Sequence, residues 1–316
     1  MFDIPILIII FNRPNTTEMV FEKIRAIKPK QLFIAADGPR DEQEKELCNY
    51  TRCLILNAID WDCEIKTLFQ VENLGCGLNP SLALTWFFEH VEEGIILEDD
   101  CVPDLSFFQY CKQMLDQYRN EYSIISISGC NFGYSIPIYT HGFSNFFNMW
   151  GWATWKRSVL KIDYQILEWK QKTMIQKYLF LFHRLNLSHM QYNWMWLRHW
   201  LYAFNEFDNK DIWDFAWIYS ALSNKQLSVI PKVNLINNIG FLDDATHTSE
   251  LNHPLKYVKP NTFTFPIDKC VPIKNDKYFE KYYVKNVWCN FIKYSRKTQI
   301  SFFLKDIYSL FIDKFR

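Results

Sequence analysis

The chain has 316 residues, 49% of them hydrophobic and 22% charged, which excludes a disordered or low-complexity protein and leaves room for one large core or two modest ones. Its 35 basic residues offset 35 acidic ones, so no global field draws it to nucleic acid and any charge logic is local.

Ile6 to Phe11 is a continuous apolar run, the pattern of a strand covered on both faces. Asn15 or Thr16 is placed to cap a helix whose apolar positions Val20, Ile24 and Ile27 follow helical spacing. Leu32 to Ala36 reads as a second strand, closed by Asp37-Gly38-Pro39, after which Asp41 and Glu44 form a capping-box pattern. Ile65 to Phe69 is a third strand. The loop Asn73 to Pro80 has two glycines, which suit either a plain turn or backbone N–H contact with a phosphate or ribose, and a helix follows from Ser81 to Val91. Ile95 to Leu97 is a fourth strand ending in Glu98-Asp99-Asp100, Asp104 is placed to cap another helix, and Ile124 to Ile127 is a fifth strand. Alternating strands and helices predict an open, mainly parallel α/β sheet of Rossmann-like type flanked by helices. Such sheets bind ligands beyond the carboxyl ends of their strands, where Arg13, Asp37 and the acidic triplet all fall.

After residue 130 the alternation stops and aromatics dominate, among the chain's 12 Trp, 17 Tyr and 27 Phe. The alternating run from Trp150 to Trp155 suits a strand, with Trp152 as a floor under a sugar ring or as core. Asp214, between Trp213 and Phe215, opens a helix to Leu222. It reads either as a capping residue or as a general base whose pKa is raised by desolvation. Three adjacent acids after an apolar strand repel one another, and a hard divalent cation, magnesium or manganese, rewards that arrangement; a solvated acidic turn is the alternative. Asp243, Asp244 and His247 follow Gly240 in a late loop, with His247 a candidate second metal ligand.

These segments, in this order from about Ile6 to about Thr248, resemble the GT-A glycosyltransferases, and among them the N-acetylglucosaminyltransferase I type. Glu98-Asp99-Asp100 with Val102-Pro103-Asp104 and Phe107-Phe108 is similar to that family's acidic metal motif and following helix. Met149 to Trp152 is similar to its Gly-Trp segment, Trp213-Asp214 to its Trp-Asp segment, and Ile230-Pro231 through Gly240-Phe241 to its terminal strand and loop. The resemblance implies an inverting, metal-dependent transfer of a sugar, N-acetylglucosamine by the match, from a UDP-sugar donor to a glycan or glycolipid hydroxyl. By the same resemblance Arg13 and Asp37 hold the base, Asp99 the ribose and Glu98 the donor, Asp100 binds manganese or magnesium, and Asp214 is the base. That family does not depend on a late histidine, so His247 stands apart from its pattern. Residues 1–130 are then a donor-binding half, 131–250 an acceptor half, and 251–316 a C-terminal helical and aromatic segment.

Two other readings compete. A sugar-phosphate nucleotidylyltransferase shares the sheet and the metal but carries a glycine-rich basic loop after its first strand, where this chain has Asn12 to Asn15. A non-catalytic glycan-binding protein on the same fold would have no use for intact acids at 98–100 and 214. Nine cysteines without a Cys-x-x-Cys pair fit a reducing compartment, and the apolar start is too short to span a membrane, so a cytoplasmic enzyme is expected. From Lys274 to Arg316 basic residues interleave with aromatics, the composition of a helix at a membrane interface or of one docked on its own domain.

Overall fold

The computed structural model describes residues 1–185, 190–207, 213–240, 258–288 and 301. Strand β1 (Ile6–Ile10), helix α1 (Pro14–Ile27), β2 (Gln31–Ala36), α2 (Glu42–Asn57), β3 (Glu64–Phe69), α3 (Gly75–His90) and β4 (Glu93–Glu98) alternate as expected. Next come β5 (Cys101–Pro103), α4 (Ser106–Tyr118), β6 (Ile124–Ser128), β7 (His141–Ser144) and β8 (Trp152–Trp155). Four helices follow, α5 (Lys156–Val159), α6 (Leu167–Gln171), α7 (Met174–Arg184) and α8 (Met190–Asn205), then α9 (Asp214–Asn224), β9 (Leu227–Pro231) and β10 (Ile236–Asn238). Helix α10 (Lys277–Tyr283) continues into a π-helical turn, Val284–Trp288.

Eight strands form one sheet in the order β3-β2-β1-β4-β8-β6-β9-β7, and β5 with β10 forms a separate two-stranded ribbon. Strands β3, β2, β1 and β4 run parallel, as do β6 and β9, while β8 and β7 are antiparallel to their neighbours. The architecture is α/β, with a mixed, mostly parallel sheet flanked by helices. Ile8 lies in register with Ile34 on one side and Leu97 on the other, and all three are fully buried. A strand so enclosed needs an apolar side chain at every position, which is why β1 shows no alternation.

Several helix ends differ from the sequence reading. Helix α1 begins before Asn15 and Thr16, with Pro14 in its first turn, where a missing N–H costs nothing. Asp41 does cap α2, its Oδ1 accepting the Glu44 N–H at 2.8 Å. The Glu44 carboxylate does not return to Asp41; it accepts from the Arg40 N–H and from Asn12 Nδ2, each at 2.9 Å. Helix α3 starts at Gly75, well before Ser81, because its first amides find an acceptor in Asp37, just past the end of β2.

Residue 130 is not a boundary in the sheet, since β8 is inserted between β4 and β6. The described part of the C-terminal segment folds back on the same core. Phe263, Phe279 and Tyr283 are buried there, and Asp268 Oδ2 accepts the Thr140 N–H at 2.8 Å. Phe279 and Tyr283 of α10 are thus turned to their own domain, while Tyr278 is exposed. Among the described residues no helix is long and apolar enough to cross a membrane, and the described cysteines are free thiols.

Candidate functional site

Strands β1 and β4 are parallel neighbours with Ile9 opposite Glu98, so the residues past their carboxyl ends emerge side by side. Arg13, one turn beyond β1, meets the acids that end β4. Its guanidinium pairs with Asp99 through Nη2 and with Asp100 Oδ2 through Nη1 at 3.1 Å. The Phe11 N–H adds a bond to Asp99 Oδ2 at 3.2 Å. Asp100 is held from further sides as well. Its Oδ1 accepts from the Cys101 thiol at 3.1 Å, and its carbonyl accepts the Ile239 N–H at 2.8 Å. Gly240 lies so close that a Cβ there would be 2.2 Å from Asp100 Oδ2. Glycine is the residue that lets this backbone approach a carboxylate.

The electrostatics are those of crowded acids. Burial, then the charges of Asp100, Asp99 and Asp214, push Glu98 well above the usual carboxylate range, with Arg13 opposing. Burial raises Asp99 to about 6, the Arg13 charge pulling down and Asp100 pushing up. Asp214 is the first residue of α9 and follows its capping position, Trp213, so it is not the cap residue itself. Its Oδ1 is shielded from water and has no hydrogen-bond partner among the described residues. Burial raises it to about 6, against a weaker pull from the Asp214 and Phe215 N–H groups. The influence of its charge on Glu98 ties α9 to the end of β4.

Asp37 sits past β2 and is consumed by the scaffold. Its Oδ1 accepts the N–H groups of Gly38 and Leu74, each at 2.8 Å, and its Oδ2 accepts the Gly75 N–H at 3.0 Å and Asn73 Nδ2 at 3.1 Å. It is therefore the acceptor for the start of α3, where Gly75 takes φ +81°. With two donors on each oxygen, any contact of Asp37 with a base requires one of these bonds to break. Trp152 is corrected more firmly. Its ring is 1% exposed and packs on Trp217, centroids 4.8 Å apart, and on Trp213 at 6.1 Å. It supports the start of α9 from behind and presents no face for a sugar.

Phe11, Arg13, Asp37, Asn73, Asn79 and Glu98 are among the residues lining a cavity of about 210 Å³ at this strand end. Asn79 was not singled out by the sequence reading. It is buried, and its Oδ1 finds no partner among the described residues. Its signal was a polar residue one position before Pro80 inside an otherwise apolar helix. Arg52, also overlooked, joins the ends of β2 and β3 by donating to the Asp37 and Gln70 carbonyls at 2.8 and 2.9 Å.

His247, Asp243 and Asp244 lie outside the described residues. Among those described, no three His, Cys, Asp or Glu side chains form a group suited to a metal. Glu98 feels the charges of Asp100, Asp99 and Asp214, with Arg13 the opposing cation, and Arg40 also lines the crevice. Both Asp100 oxygens already accept, Oδ2 from Arg13 and Oδ1 from the neutral Cys101 thiol.

These features define a Rossmann-like α/β protein with an acidic crevice at the carboxyl ends of its central strands. No protein-family model and no curated protein matches the chain. Among solved structures it is similar to the crystal structure of HddC from Yersinia pseudotuberculosis, with 11% identity and a TM-score of 0.30, over 49% of this chain and 77% of that one. A likeness so slight carries no argument for function.

Proposed function

We propose that the protein is an inverting glycosyltransferase of the GT-A type, moving a sugar from a nucleoside-diphosphate donor to a hydroxyl of a glycan or glycolipid acceptor. The observation that carries this reading is Asp214, a carboxylate with one water-shielded, unpartnered oxygen among the described residues, whose charge is felt by Glu98 at the end of β4. A carboxylate with a pKa near 6 is ionised at neutral pH yet basic enough to accept a proton from an attacking hydroxyl. The acceptor oxygen forms its bond to the anomeric carbon as the bond from that carbon to the diphosphate oxygen breaks. The proton goes to Asp214, and the nucleoside diphosphate leaves with the electron pair.

Arg13 holds Asp99 and Asp100 in fixed directions beneath the donor, so that neither has to reorganise as charge develops. Glu98, pushed toward its neutral form, is suited to donate a hydrogen bond to the donor rather than to take a proton. Asp100 and His247 would hold a manganese or magnesium ion, which as a Lewis acid offsets the charge of the departing diphosphate. UDP as the nucleotide and N-acetylglucosamine as the sugar follow from the motif resemblance.

A panel of nucleotide sugars with manganese, read by release of nucleoside diphosphate, tests the reading. One donor should be turned over, and Asp100→Ala should abolish that turnover while His247→Ala gives a smaller loss. Full activity in chelator would remove the metal. No release from any donor, or pyrophosphate release from a nucleoside triphosphate and a sugar phosphate, would overturn the assignment.

A further inference from the structure

A second cavity, of about 920 Å³, lies between β7 and α10. Its volume is at the upper end of the roughly 300–1,000 Å³ typical of small-molecule sites. Strand β7 is the edge of the sheet, four strands from β4 and so about 19 Å away at the usual spacing of about 4.8 Å. None of its lining residues is shared with the acidic crevice. Its walls are mainly apolar, from Ile136, Phe143 and Val271 among others, and Ile138 and Tyr278 contribute side chains that are each 78% exposed.

The rim carries four lysines and one carboxylate, Asp276. Lys277, Lys281 and Lys285 recur every fourth residue along α10 and the π turn, which sets them on one side of that rod, and Lys274 precedes them. All four are exposed, and none pairs with a carboxylate among the described residues. The cavity's acid, Asp276, is spent on its own helix, its Oδ1 accepting the Tyr278 and Phe279 N–H groups at 2.9 and 3.0 Å. Two neighbouring requirements are thus met by nothing in the described chain: an apolar hollow open to water and a row of ammonium groups that outnumber the one carboxylate beside them.

We propose that this cavity binds an amphiphilic anion, a single acyl or prenyl chain carrying a phosphate head, with the chain between β7 and α10 and the head on the lysine row. A flat membrane surface would engage the lysines but has no use for a hollow of this volume. An ordinary hydrophilic anion would have no use for its walls. The inference stands on this cavity alone and does not require the transferase reading.

Dodecyl phosphate below its micelle concentration is the probe, titrated by calorimetry into the full-length protein beside dodecyl maltoside and inorganic phosphate. It should bind one to one and at least about tenfold more tightly than either, because the maltoside lacks the charge that the lysines meet and inorganic phosphate lacks the chain that the apolar walls bury. The exposed-residue variants Lys277→Glu with Lys281→Glu, and separately Ile138→Asp, should each weaken it about tenfold or more with unchanged melting temperature. Three results would overturn the proposal: equal binding of inorganic phosphate, equal binding by the lysine variant, or flotation with anionic vesicles without one-to-one binding of the monomeric probe.

Discussion

Replacing Asp214 with Asn separates a proton acceptor from a merely structural acid, because the amide keeps the shape and removes the charge. Burial raises the Asp214 pKa from 3.8 to about 6 in the folded protein. That shift of about two pH units corresponds to an upper bound of about 3 kcal/mol, at about 1.4 kcal/mol per unit. The side chain is half-buried, so partial screening brings the working figure to about 1–3 kcal/mol. A carboxyl raised in the folded state favours folding below its unfolded value, and the benefit is lost as pH rises through the folded value. At pH 8 the ionised Asp214 therefore costs the native state that amount, and Asp214→Asn removes the cost. The variant should melt about 2–5 °C higher at pH 8, since about 1 kcal/mol moves the midpoint of a 316-residue chain by roughly 1.5 °C at about 2.1 cal/mol/K per residue. The gap should close as pH falls from about 6 toward 4, where both side chains are neutral.

Turnover should move the other way, falling roughly 10²–10⁴-fold, the usual worth of a general base. The parent's rate should itself decline below about pH 6 as Asp214 protonates. Calorimetric melts at pH 4 and 8 beside a nucleoside-diphosphate release assay measure both halves. Near-normal turnover would refute the catalytic role. A variant no more stable than the parent at pH 8 would refute the burial argument beneath it.

Arg13→Met should cost about 3 kcal/mol or more in urea unfolding, because it leaves Asp99 and Asp100 without their cation; an unchanged midpoint would mean the pairing contributes nothing. Gly240→Ala should displace the Asp100 carboxylate, whose Oδ2 would be 2.2 Å from the new Cβ, and lower turnover at least about tenfold with little loss of stability. Normal kinetics in that variant would refute the placement of Gly240. Asp37→Asn puts an amide donor against the N–H groups of α3 and should cost about 1–3 kcal/mol, read as a lower thermal midpoint. A parent-like midpoint would show that Asp37 is free for another role.

The strands covered on both faces were legible because burial on two sides leaves a continuous apolar run, as in Ile6–Ile10 and Ile95–Leu97. The short strands β5, β7, β8, β9 and β10 lack a continuous apolar run, and of them the sequence reading had only the run from Trp150 to Trp155 and, through the resemblance, the segment from Ile230-Pro231 onward. Trp152 misled for a related reason. The alternating run from Trp150 to Trp155 suggests one exposed face, yet every residue of β8 is buried, and Trp213 and Trp217 cover the Trp152 ring. The start of α3 was illegible because its acceptor, Asp37, is 37 residues away in sequence from Leu74. Local capping rules cannot see a carboxylate delivered by tertiary structure. The basic and aromatic tail was legible as an amphipathic rod, but composition does not say which face is covered; Phe279 and Tyr283 are buried while the lysines point out.

The acidic end of β4 draws its support from both sides of residue 130. Adjacent carboxylates at Glu98, Asp99 and Asp100 are unfavourable unless something fixes and offsets them, and from within the first half Arg13 supplies the charge while the Phe11 N–H and the Cys101 thiol add neutral hydrogen bonds. The remaining support is brought from far along the chain. β10 pairs with β5 so that the Ile239 N–H meets the Asp100 carbonyl and Gly240 closes on its carboxylate. β8 fills the gap between β4 and β6, and Trp152 on it packs against Trp213, which sets the position of Asp214. A fragment ending near residue 130 would thus retain all three acids of the triplet but lose the backbone that holds Asp100 and the helix that carries Asp214. Such a fragment should leave β4 and β6 without the strand between them, so the site and the sheet form together or not at all.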